Sequence, residues 1–157
     1  MGALKAEAFA SRAFQMYVRI HTRYHVHFTH LSQFYGIAHF GPVIVHLSPV
    51  PAGQDVRVYD GSGEWLKIST IGIKLSEEHF NGNQWLPWNG ARLTARLPKQ
   101  VPAGQYLLRV DQIWPGDDNR EAQHYPACAQ IEVESDFVGK LPAGVKIPEG
   151  LSRDMPG

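Results

Sequence analysis

From Gly41 onward, short apolar or alternating runs are separated by turns rich in glycine and proline. Residues 43–47 (VIVHL) are apolar and β-branched, the composition of a buried strand, and 48–53 (SPVPAG) close them. Residues 56–59 read as a second short strand, ended by Asp60-Gly61-Ser62-Gly63. The run 65–73 (WLKISTIGI) alternates apolar and polar side chains, and 92–97 (RLTARL) alternates more cleanly. Pro102-Ala103-Gly104 then turns the chain into 105–113 (QYLLRVDQI), and 127–134 (ACAQIEVE) is the last strand predicted. Short strands at this spacing, without helices between them, predict an all-β protein folded as a β-sandwich. The inner faces should include the VIVHL and CAQIEV runs, with Trp65 and Tyr106 at the core or its rim.

The ends read differently. Residues 1–38 hold neither a helical nor an alternating period over a useful window, and they set off an atypical segment from a domain spanning 39–157. The stretch from 136 to 157 is rich in proline and glycine and predicts a long loop laid over the sandwich surface.

Composition narrows the partners. The 157 residues carry 15 Lys plus Arg against 15 Asp plus Glu, so no basic excess points to nucleic acid or an anionic membrane surface. No run approaches the roughly 18 apolar residues of a membrane-spanning helix. A neutral or small partner fits better.

Candidate chemistry is sparse. HExxH, CxxC and GxSxG patterns are absent, and no glycine-rich phosphate loop precedes a helix. Glu77-Glu78 and Asp117-Asp118 are adjacent carboxylates whose side chains diverge, the pattern of a solvated surface. His39 stands just before the first buried strand. Gln123 and Tyr125 share a face by the period of a strand. Either set is more often packing than chemistry. His21, His25, His27 and His30 form the densest histidine group, and in a strand His25 and His27 would share a face. Cys128 is the one cysteine, so no disulfide closes within the chain.

Four segments in order resemble the fungal lytic polysaccharide monooxygenases of auxiliary-activity family nine. Residues 39–45 (HFGPVIV) resemble the family's HxGPV strand, and 65–68 (WLKI) its tryptophan-led strand. Residues 101–109 (VPAGQYLLR) are similar to VPAGxYLLR, and 123–131 (QHYPACAQI) to QFYxxCAQI. The resemblance implies an immunoglobulin- or fibronectin-III-like β-sandwich, here incomplete at its N-terminal half. It also implies a copper cofactor, with His39 as a nitrogen ligand and Tyr125 as the weak axial ligand. Gln123 would hydrogen-bond toward that tyrosine, and Gln123 and Tyr125 would be the catalytic residues. Imidazole suits copper, and an oxidative reaction fits the lack of a paired-carboxylate motif. The implied activity is hydroxylation at C1 or C4 of cellulose or a related β-1,4-glucan. It would be performed by a secreted monomer fed by an external electron donor.

The same resemblance implies an N-terminal histidine that chelates copper through side chain and amine, and a disulfide partner for Cys128. This chain begins with Met1 and has neither. The expectation is therefore a chain truncated or misassembled at its start, with a depleted copper site and an unpaired Cys128. The loop 114–122 also lacks the histidine many members carry there, and Leu151 stands where an aromatic often meets the polysaccharide. A different class stays open: a non-catalytic β-sandwich that binds polysaccharide or protein, with His39 and Tyr125 merely packed. A third reading is a fragment that does not fold. Copper binding separates the first two, and a cooperative unfolding transition separates the third.

Overall fold

A computed structural model describes residues 17–21, 25–29, 39–74, 84–87, 92–116 and 122–150. Among them there is no helix, so none is long and apolar enough to cross a membrane. Seven strands are present: β1 (Tyr17–His21), β2 (His25–Thr29), β3 (Val43–Pro49), β4 (Leu66–Ile71), β5 (Arg92–Arg96), β6 (Gly104–Trp114) and β7 (Gln123–Glu134). They form a five-stranded sheet in the order β1-β7-β6-β3-β4 and a two-stranded sheet, β2-β5. All the described pairings are antiparallel except β1 with β7, which is parallel.

Both faces of the large sheet are buried, and the alternation of side chains decides what each face holds. On one face Val43, Val45 and Leu47 of β3 meet Tyr106 and Leu108 of β6 and Ile131 and Val133 of β7. Ala95 and Leu97 from the β5 region close over them, which makes the sandwich. On the other face Leu107 packs with Val56, Tyr59 and Trp65, contributed by the chain between β3 and β4. The Ser48 hydroxyl hydrogen-bonds that of Tyr59 (2.9 Å), and Trp65 donates its indole N–H to Gly61 O (2.9 Å). Trp65 and Tyr106 are both buried, as their sequence context predicts.

The 56–59 run is not a strand. It is a turn: the amides of Val58 and Tyr59 donate to Asp55 O, and the Asp55 carboxylate takes the Arg57 amide at 2.8 Å. Asp55 competes for the local backbone donors and so holds the chain out of a ladder. Val56 and Tyr59, three apart, then point inward while Val58 is 78% exposed. That spacing belongs to a turn, not to a strand. The tail from 136 to 150 has no strand and crosses the sheet edge, where Val145 and Trp65 exchange backbone hydrogen bonds (2.8 and 3.0 Å). Within the first 38 residues, β1 and β2 each add a strand to a sheet where the sequence showed no usable period.

Candidate active site

β6 and β7 pair along eleven consecutive positions, from Gly104 opposite Val133 to Trp114 opposite Gln123. β7 therefore starts at Gln123, four residues before the strand predicted from sequence, and Gln123 and Tyr125 ride on a rigid ladder. Directly opposed residues share a face. Gln112 and Trp114 thus stand with Tyr125 and Gln123 on the face that carries the sandwich core, past its end.

His39 reaches this place from the segment leading into β3. The Gln112 side chain donates to His39 O at 3.3 Å, and the Ile113 amide donates to Pro42 O at 2.9 Å. Between these ties lies Gly41, at φ +134°, where a Cβ would stand 1.9 Å from Ile113 O. Only glycine combines that backbone angle with so close an approach. Gly41→Ala is expected to lower folding stability by roughly 1–3 kcal/mol. Gly53→Ala, at φ +83° but with nothing within 4 Å of the added carbon, should cost less. Equal losses in urea unfolding of the two variants would show that the Ile113 contact does not constrain the loop.

The result is a convergence of residues far apart in sequence. The His39 ring stacks on Tyr125 (centroids 5.3 Å apart, planes at 21°) and on Trp114 (5.2 Å, 28°). The Tyr125 hydroxyl donates to Gln123 Oε1, and Tyr125 is 42% exposed, so the group opens to solvent. His39, Gln123 and Tyr125, the three residues singled out from sequence, are together. Trp114 joins them and was not singled out; the signal available was its place opposite Gln123 once β6 is extended to its true end.

The histidine-rich segment behaves differently. His21 pairs with Glu134, the opposite end of β7 from Tyr125, about 30 Å away at strand rise. His25 and His27 pair with Arg96 and Thr94 in the second sheet, and His30 lies outside the described residues. Leu151 and most of the 114–122 loop also lie outside them.

Behind the site, on the other face of the same strands, is a buried polar group. Asp111 is 1% exposed and its Oδ2 accepts both Arg109 Nη2 and His124 Nδ1, each at 2.8 Å. A carboxylate only accepts, so Nδ1 of His124 carries the proton. Burial pushes the Asp111 carboxyl up, but the His124 hydrogen bond and the charge and hydrogen bond of Arg109 outweigh it. The net value lies below the ordinary carboxylate range. His46, opposite Arg109, is buried, and its pKa is lowered to about 4. Cys128, opposite Arg109 on the other side, is a free, partly buried thiol, pushed up chiefly by burial.

The chain belongs to Auxiliary Activity family 9 (formerly GH61), whose family model matches residues 7–157. Among curated relatives, the lytic polysaccharide monooxygenase C of Malbranchea cinnamomea is 37% identical over 124 residues, covering 77% of this chain and 52% of its own length. Monooxygenase A of Aspergillus fumigatus is 31% identical over 119 residues, covering 75% of this chain and 40% of its own. This chain thus spans about half or less of the length of these relatives. Its fold is similar to that of a cellulose-active polysaccharide monooxygenase from M. thermophila (TM-score 0.63, 21% identity, 83% of this chain and 60% of that one). It is also similar to Cel61B of Hypocrea jecorina (TM-score 0.67, 20% identity, 83% and 57%). Both likenesses support the β-sandwich.

Proposed function

We propose that this chain supplies one wing of a copper site for oxidative cleavage of cellulose or a related β-1,4-glucan, at C1 or C4. His39 would supply the nitrogen ligand of that wing and Tyr125 an oxygen beside it, with Gln123 the partner that holds the Tyr125 hydroxyl. The observation that carries this reading is the meeting of His39 with the Gln123–Tyr125 pair, 84 residues apart in sequence, at one solvent-open end of a rigid ladder.

The donor set fits a copper ion in part. Imidazole nitrogen is a good copper donor and a neutral phenol a poor one. Among the described residues, no three His, Cys, Asp or Glu side chains are grouped to hold a metal. His39 and Tyr125 would hold one side of the ion, and the remaining nitrogens must come from elsewhere. Copper, when bound, supplies the one-electron chemistry that a glucan C–H bond requires. The protein's own part is to present His39 in a fixed orientation, keep Tyr125 beside it and tie the phenol proton to Gln123. Family resemblance further supports a secreted, monomeric setting and an external electron donor.

Counting donors sets the expected result. The 157-residue chain, given copper and ascorbate on cellulose, should release no oxidised oligosaccharides above the copper-only control. Its copper affinity should be weak and should fall further in His39→Ala. A fusion that places a relative's segment starting with a processed histidine ahead of the chain should gain cleavage, and lose it again in His39→Ala. Mass spectrometry of the products reads both. Copper binding and cleavage by the fusion that ignore His39→Ala would remove the His39 assignment, and a fusion that gains no cleavage would leave a non-catalytic binding module.

A further inference from the structure

A histidine that binds a metal ordinarily has its second ring nitrogen held by a carboxylate, a carbonyl or water, which sets the ring's orientation. His39 has no such hold: among the described residues, no hydrogen bond reaches either ring nitrogen. The residue is in a bend, and among the described residues its loop is tied down through the backbone carbonyls of His39 and Pro42. Two aromatic faces lie against the imidazole, Tyr125 and Trp114, with planes within 28° of parallel. Tyr125 is committed to Gln123. Trp114 is half-buried at the last position of β6, held in register opposite Gln123.

We infer that Trp114 is a positioning residue that orients the His39 imidazole by stacking, the part a hydrogen-bond partner ordinarily plays. This rests on the reading of His39 as a copper ligand. Restricting the ring in advance spares the entropy of ordering it when a ligand arrives. Stacked aromatic pairs supply enough attraction to do so. The aromatic face, not the bulk, is what the role requires.

The test uses the full chain and Cu(II) alone as probe, with affinity measured by competition against a chelator. Trp114→Phe keeps a stacking face and should bind within about twofold of the parent, whereas Trp114→Leu, of apolar bulk without a π face, should bind roughly 5-fold more weakly. The two variants should share one urea midpoint. A second readout needs no copper: in NMR spectra the His39 ring protons should be shifted upfield by the Trp114 and Tyr125 ring currents, and Trp114→Leu should remove the Trp114 share, leaving a smaller shift. His39→Ala separates the two ideas. If His39→Ala leaves copper binding unchanged, the ligand reading fails. If it weakens binding while Trp114→Leu does not, or if Trp114→Phe is as weak as Trp114→Leu, the positioning role fails. If Trp114→Leu does not fold, the ring-current shift in the parent decides: its absence overturns the proposal.

Discussion

Asp111→Ala should destabilise the fold by about 3–5 kcal/mol, the cost of leaving one partner of a buried ion pair alone. Asp111 is 1% exposed, and the Arg109 side chain it neutralises is 14% exposed. Arg109 Nε already lacks a partner among the described residues, as does Asp111 Oδ1. Without the carboxylate, the guanidinium stays buried and uncompensated, and His124 Nδ1 loses its acceptor. Asp111→Asn keeps the shape and one acceptor oxygen, so it should cost less. The pH dependence has a definite sign. A carboxyl held below its ordinary range adds stability that is present above that range and lost as pH falls through the lowered value. The gap between parent and Asp111→Ala should therefore narrow in acid. Urea unfolding at neutral pH and at about pH 3 measures both. A neutral-pH loss below about 1 kcal/mol would mean that water reaches the pair and that it adds little.

His46 should make folding weaken as pH falls from 6.5 toward about 4. Burial is the main cause of its lowered pKa; Arg109 and Lys67 push the same way and Asp111 opposes them. The unfolded chain takes up a proton near pH 6.5, while the folded imidazole resists until about 4, so the unfolded state holds more protons in that window. The whole separation is worth about 3 kcal/mol, which screening by solvent trims to about 2 kcal/mol. Unfolding midpoints measured across the window for the parent and for His46→Gln isolate this residue from other titrating groups. Parallel curves for the two would show that His46 titrates alike in the folded and unfolded chain.

How much of this was legible in advance depends on how local each feature is. The strands β3, β5, β6 and β7 were readable because apolar alternation and Pro/Gly turns are written within a few consecutive residues. The turn at 56–59 was misread as a strand for the same reason: Val56, Val58 and Tyr59 have strand composition, and only the Asp55 hydrogen bonds reveal the turn. β1 was missed because its five residues find their partner more than a hundred positions away on β7. Such a pairing leaves no local period.

The site divides in the same way. The sequence by itself determined the all-β class, the apolar faces of the central strands, the family motifs and the three residues His39, Gln123 and Tyr125. These depend on side-chain period and on short motifs, both carried along the chain. Only the tertiary structure decided that His39 meets Tyr125, that Trp114 lies against the same imidazole, and that His21 belongs to the far end of the sheet. It alone placed the Arg109–Asp111–His124 group on the reverse face. The physical reason is register: eleven paired positions between β6 and β7 choose which side chains face one another, and a one-residue slip would send every one of them to the other side.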